Sequence, residues 1–387
     1  MTTLYRRMTA RRSDEDHRVA TPLELLFDLS FVVAVASAAA KLHHALSENH
    51  IGSGVLGYLL VFFAIWWGWL NFTWFASAYD TDDVPYRLTT LVQVAGVLVL
   101  AAGVPRAFDH SDYTVITLGY VLMRLAMVAQ WLRASRADAE RKVCARRYAI
   151  GITVVQVGWV ARLFLPDDVF LVGFLTMVVA ELAVPVWAER AGQTTWHPHH
   201  VVERYGLFTL IVLGESILAA TGAIGAALDA GHASFALISL AAAGLVIVFS
   251  LWWLYFDYPA HHLLDTLPRA ITWGYGHYLV FASVAAVGAG LEVSVDYDLH
   301  VAHLPTLAAG LTTTVPVAVF LVVVWALQVR PARRGPALWG FPVAAVLVLA
   351  MTFTPAPIHA VAVVLAALVA VVISGRRGAT DGAISST

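Results

Sequence analysis

The chain has 387 residues, 59% of them hydrophobic and only 13% charged, with a mean hydropathy of +0.74. This excludes an ordinary soluble enzyme and is the composition of a polytopic membrane protein. The formal net charge of -2 decides nothing, because the distribution of charge between loops sets orientation, and the single cysteine, Cys144, excludes an internal disulfide and a cysteine-based metal cluster.

Residues 1–20 form a basic stretch, from Arg6 to Arg18, followed by acids and then by a membrane-length apolar run. No short apolar region with a cleavage site is evident, so the first helix is expected to be retained. At about 20 residues per span, the sequence predicts twelve helices over 23–45, 53–78, 84–105, 112–133, 145–165, 168–188, 201–223, 233–256, 269–291, 304–328, 335–352 and 357–374. The expected class is an all-α polytopic membrane protein, with a C-terminal tail over 375–387.

If the N-terminus is cytoplasmic, all of the 24 Lys and Arg fall inside except Lys41, Arg106 and Arg162 at outer ends and Arg124 within span four. An odd number of spans would put Arg330, Arg333 and Arg334, or Arg376 and Arg377, outside, so an even count with both termini inside is expected. The predominance of Arg over Lys suggests a bacterial source, and hence a bacterial plasma membrane. Arg124, within span four, is expected to pair with an acid or to face a wet interior.

The halves 21–190 and 191–374 read as two six-helix repeats. Trp66-Trp67-Gly68-Trp69-Leu70-Asn71 in span two matches Trp252-Trp253-Leu254-Tyr255-Phe256-Asp257 in span eight. Pro85 and Arg87 open span three as Pro268 and Arg269 open span nine, and Glu24 opens span one as Glu203 opens span seven. Six is even, so the repeats would be parallel, related by an axis along the membrane normal.

Glu24 and Asp28 are four residues apart at the mouth of span one and so share a helical face. Acids facing lipid are costly, which directs both toward protein or water. Glu24, in the first turn after Pro22, also suits the positive end of the helix dipole, and Asp28 lies one turn deeper; both are transport or gating candidates. Glu215, about twelve residues into span seven, lies near the bilayer midplane with Ser216 beside it, where a carboxylate is a candidate for protonation, cation binding or pairing with an internal base.

Asn71, Arg87, Glu203, Arg204, Asp257 and Arg269 gather at the cytoplasmic ends of the repeat helices. They read either as a vestibule that concentrates a cation or as caps and ion pairs that lock the bundle, and for Arg87, Arg204 and Arg269 the lock is the simpler reading. His199 and His200 ahead of Glu203, and His261 and His262 ahead of Asp265, are weak metal candidates that match no tight ligand motif. His43, His44, His300 and His303 with Glu292, Asp296 and Asp298 could form an acidic outer mouth or be ordinary interfacial residues. The tryptophans 66, 67, 69 and 74 are expected in a belt or core rather than in a ligand cage. Phosphate-loop, nucleophile-elbow, zinc-protease and dinucleotide motifs are lacking from the sequence, as is the potassium-channel filter T-V-G-Y-G.

The segment Pro22-Leu23-Glu24-Leu25-Leu26-Phe27-Asp28-Leu29-Ser30-Phe31-Val32 resembles the signature of the bacterial low temperature requirement protein A family. So do Trp66 to Phe75, Tyr79-Asp80-Thr81-Asp82-Asp83 and Val202 to Glu215, and the resemblance covers nearly the whole chain. That family takes its name from growth in the cold and implies no substrate. More remotely, Glu24, Phe27, Asp28, Phe31 and Ala34 are similar to the pore-lining first helix of the non-canonical potassium channels built from six-helix repeats. The second half departs from that pattern, carrying Leu207 where a second Asp28 would stand.

The leading expectation is an integral membrane protein, not an enzyme, that moves a cation or a proton-coupled small solute along a path between its repeats. Asp28 and Glu215 would be the charged stations. The alternatives are a structural or sensory membrane protein for cold adaptation, and an intramembrane lipid-handling or metal-dependent enzyme. The expected partners are the lipid bilayer, a small cation or small solute and a second copy of the chain in a homodimer, with neither nucleic acid nor a cofactor.

Overall fold

The computed structural model describes residues 4–12, 15, 18–229, 231, 234–332 and 336–384. Arg333 and Arg334, used above for orientation, lie outside the described residues, as do parts of the expected terminal tails. The described residues form twelve main helices: α1 Pro22–Ser47, α2 Ile51–Tyr79, α3 Val84–His110, α4 Thr114–Ala137, α5 Lys142–Arg162, α6 Phe170–Glu189, α7 Pro198–Asp229, α8 Phe235–Phe256, α9 Leu267–Asp298, α10 Thr306–Ala332, α11 Pro336–Met351 and α12 Pro357–Ile384. Each overlies one of the expected spans. The chain is therefore an all-α polytopic membrane protein, and ten helices are long and apolar enough to cross a bilayer.

The two that fall short do so for plain reasons. The first turns of α5 carry Lys142, Arg146 and Arg147. The 16 residues of α11 rise only about 24 Å against a hydrocarbon core of about 30 Å.

Helix starts follow local chemistry. At α1, Thr21 and Glu24 form a capping box: the Thr21 N–H donates to Glu24 Oε2 at 2.7 Å, and the Glu24 N–H donates to Thr21 Oγ1 at 3.3 Å. Asp83 caps α3 by accepting from the Tyr86 N–H at 3.0 Å, with Pro85 in the first turn. Ser234 caps α8 through the Leu237 N–H at 3.1 Å.

By its internal packing the chain divides into two compact units, one of Met1–Ser37 with Leu60–Leu207 and one of Ala38–Leu59 with Phe208–Thr387. The boundaries fall within α1, α2 and α7. In the first unit α3 packs most extensively on α4, then α4 on α5 and α5 on α6; in the second α9 packs most extensively on α10, followed by α8 on α12, α10 on α11 and α11 on α12.

Small residues make the closest approaches possible, as expected where apolar lipid offers helices no hydrophobic reason to associate. A Cβ on Gly103 of α3 would lie 2.6 Å from the Ile116 backbone nitrogen of α4, and one on Gly119 would collide with the Leu100 backbone. In the second unit a Cβ on Gly290 would strike the Thr312 carbonyl, and one on Gly288 would lie 2.9 Å from Ser216 Cα. Aromatic packing fills the first unit, where Trp131 of α4 stacks on Tyr148 of α5 with centroids 4.0 Å apart.

The described part of the N-terminal segment is tied down. Its Arg11 N–H donates to the Ala78 carbonyl at 2.8 Å, the Arg6 N–H donates to Asp83 at 2.7 Å, and Arg18 Nη2 donates to the Ala76 carbonyl at 2.7 Å.

Candidate functional site

Four candidate residues of the first unit, Glu24, Asp28, His200 and Arg204, converge on one buried network. Arg204 of α7 forks onto Asp28 of α1, with Nε 2.9 Å from Oδ2 and Nη2 2.5 Å from Oδ1, and its third nitrogen, Nη1, lies 3.0 Å from Glu24 Oε1. Trp69 Nε1 completes the Asp28 site, donating to Oδ1 at 2.7 Å. The same Glu24 Oε1 lies 3.0 Å from His200 Nε2 and 3.9 Å from Arg18 Nη2. All of these side chains are buried.

A bidentate guanidinium–carboxylate contact is the strongest and most directional form an ion pair takes. Two carboxylates facing two guanidinium groups and an imidazole leave the network almost neutral, which is how charges survive away from water. The one-turn spacing that puts Glu24 and Asp28 on one face is what lets a single Arg204 reach both.

Asp80, in the loop before α3, sits beside this network with a buried side chain 3.7 Å from Arg11 Nη1. Burial first, then the negative charge of Glu24, pushes its carboxyl up to about 6 from the usual 3.8, against the opposing pull of Arg18 and Arg11.

Sequence reasoning missed a second network in the same unit. Glu181 of α6 is fully buried and collects five donors: Arg124 Nη2 at 2.8 Å, Tyr120 hydroxyl at 2.7 Å, Trp67 Nε1 at 2.9 Å, Gln156 Nε2 at 3.0 Å and Trp159 Nε1 at 3.2 Å. This supplies the acid expected for Arg124. The signal was present, because Glu181 is the one acid deep within the sixth span.

In the second unit Glu215 of α7 is buried, 8% exposed, and its Oε2 has no hydrogen-bond partner among the described residues. Ser216 turns to the backbone instead, donating within reach of the Val212 carbonyl at 3.2 Å and the Val284 carbonyl at 3.1 Å. Glu292 of α9, one turn beyond Gly288, is near enough to repel the Glu215 carboxylate.

Glu292 also belongs to a cluster with His43, whose Nδ1 lies 3.0 Å from Glu292 Oε2 and whose Nε2 lies 2.7 Å from Asp296 Oδ2. Both ring nitrogens face carboxylate oxygens, an arrangement that only a doubly protonated imidazole satisfies. Ser47 Oγ donates to the same Asp296 oxygen at 3.0 Å. His303 is more peripheral, 3.5 Å from Glu48 with both side chains exposed.

The remaining candidates do not join these clusters. Arg87 pairs with Asp82 at 2.7 Å, both about half exposed, and Arg269 pairs with Asp265 one turn away in the same way. Asn71 Nδ2 bonds back to the Trp67 carbonyl at 2.8 Å, and Glu203 accepts from the Ala20 N–H at 3.2 Å. Asp257 lies at the end of α8 as its C-cap.

The tryptophan motif differs between halves, with Trp67 fully buried and its counterpart Trp253 41% exposed. His261 and His262 lie side by side with ring centroids 3.7 Å apart, and His199 lies 5.8 Å from His197. Among the described residues, no group of three or more His, Cys, Asp or Glu side chains could hold a metal ion.

Two comparisons with known proteins bear on this arrangement. An uncharacterised protein of Rhizobium meliloti is 25% identical over 312 residues, covering 76% of this chain and 72% of its own length. The family model described as bacterial low temperature requirement A protein (LtrA) matches residues 19–374, from just before the capping box of α1 to within α12. The chain belongs to the bacterial low temperature requirement A family.

Proposed function

We propose that this protein moves protons, or a solute coupled to them, across a bacterial plasma membrane, with Glu215 as the protonatable station. The observation that carries this reading is a buried carboxylate in a membrane helix that, among the described residues, has no cation against it and whose Oε2 lacks a hydrogen-bond partner. A carboxylate in such surroundings is more stable when it takes up a proton or a cation. His43, set between Glu292 and Asp296, offers a further group that can exchange a proton nearby.

The Glu24–Asp28–Arg204 network supports a different role for the first unit. Its charges are matched within the protein, so it serves as an interhelical lock, and Asp28 is a gating residue rather than an ion station. The two halves are read as parallel six-helix repeats. Supporting this are the shared packing order of their last four helices and the arginine that each third helix pairs with an acid just upstream. Both termini are assigned to the cytoplasm on the distribution of Lys and Arg.

The test is pH-gradient-driven flux in proteoliposomes, with a panel of monovalent cations in parallel. Flux that is lost in Glu215→Gln while the variant still elutes as a folded species supports the reading. No flux of any proton or cation by the wild type, or unchanged flux in Glu215→Gln, refutes it.

A further inference from the structure

The first unit contains a second charged group for which the proposed function has no use. Arg162, at the end of α5, is 4% exposed, and its Nε and Nη1 are buried without a hydrogen-bond partner among the described residues. Among the described residues, no carboxylate lies within ion-pair distance of it. Instead the guanidinium carbon sits over four rings, 4.6 Å from the centre of Phe170, 5.4 Å from Trp159 and Phe174, and 5.5 Å from Tyr113.

Cation–π contacts soften the burial of a guanidinium but leave its N–H donors in the ring plane unused. A small cavity adjoins it, lined by Arg162, Tyr113, Thr117, Trp159 and Phe174 among others, with about 20 Å³ open to the centre of a water-sized sphere. That is room for one small sphere and no more. The lining holds no carboxylate: the nearby Tyr120 hydroxyl and Trp159 indole are already spent on Glu181.

From this geometry we infer that the cavity is a binding site for a monatomic anion of chloride size, held by Arg162. A cation is repelled there. A polyatomic anion such as a phosphate does not fit, and a water would fill the space but leave the buried positive charge uncompensated. Thr117, in the cavity wall, offers a hydroxyl as a second donor. The site is independent of Glu215, which belongs to the other unit.

The test is equilibrium binding of radioactive chloride to the purified full-length protein in detergent, with gluconate as the balancing anion. Wild-type protein is expected to bind saturably, near one ion per chain. Arg162→Gln should weaken binding at least about tenfold, the minimum for losing a charge-assisted hydrogen bond. Ala64→Leu, which keeps the arginine and fills the cavity that Ala64 lines, should do the same, and it decides the question if Arg162→Gln fails to fold. Glu215→Gln should bind as wild type. Absence of saturable binding to the wild type, or binding that survives either Arg162→Gln or Ala64→Leu, overturns the inference.

Discussion

Replacing Arg204 with Met keeps most of the side-chain volume and removes the one group that neutralises two carboxylates at once. Asp28 would keep only its bond from Trp69 Nε1, and Glu24 would keep His200, the distant Arg18 and its own capping bond from the Thr21 N–H. Leaving a buried charge uncompensated costs about 3–5 kcal/mol. For a cooperative unit of this size, that lowers the unfolding midpoint by roughly 10 °C.

Thermal unfolding in detergent, followed by intrinsic fluorescence and by size-exclusion recovery, measures the loss. Arg87→Met is the control, because the Arg87–Asp82 pair is about half exposed and such pairs contribute at most about 1 kcal/mol. Adding Asp28→Leu to Arg204→Met should restore part of the stability, since an apolar pair of similar volume carries no desolvation cost. If Arg204→Met unfolds at the same temperature as Arg87→Met, the network is not the interhelical lock argued here.

Three further outcomes follow from the same geometry. Glu181→Gln turns an acceptor of five hydrogen bonds into a group with two donors of its own and strips Arg124 of its counter-charge; the unfolding midpoint should fall by an amount similar to that for Arg204→Met, and an unchanged midpoint would refute the role given to Glu181. Asp80 binds its proton more tightly in the folded protein than in the unfolded chain, so stability should decline as pH rises from 3.8 to about 6, by about 3 kcal/mol in all, and Asp80→Asn should flatten that decline. Gly103→Ala places a Cβ 2.6 Å from a backbone nitrogen of α4 and should reduce recovery of monodisperse protein, whereas Gly52→Ala, with nothing within 4 Å of the new carbon, should leave it unchanged.

The helices were legible in the sequence because a bilayer demands long uncharged runs, and each of the twelve runs became a helix. Local chemistry was legible in principle as well: Thr21-x-x-Glu24 is a capping box, though the sequence reading matched Glu24 to the helix dipole and to a transport role without pairing it with Thr21. Pairings between helices were a different matter. Arg124 visibly required an acid, but its partner lies 57 positions away, and no one-dimensional pattern gives the azimuth at which α4 and α6 face each other. For the same reason, Arg204 could be read as part of an ion pair without showing that it reaches both Glu24 and Asp28.

Burial alone therefore does not pick out the working acid in this protein. Asp28, Glu24 and Glu181 are all deeper or better enclosed than Glu215, yet each is held by at least one guanidinium and by at least one neutral donor. Moving a proton onto any of them would break those contacts and strand an arginine, so their charge is fixed by the fold. Among the described residues Glu215 has no such cation. The charged side chain that acts on it, Glu292, is itself an acid, and protonation of Glu215 would relieve repulsion rather than break a pair. An acid that can change charge without dismantling its surroundings is the one suited to a transport cycle, and that criterion separates Glu215 from the residues of the lock.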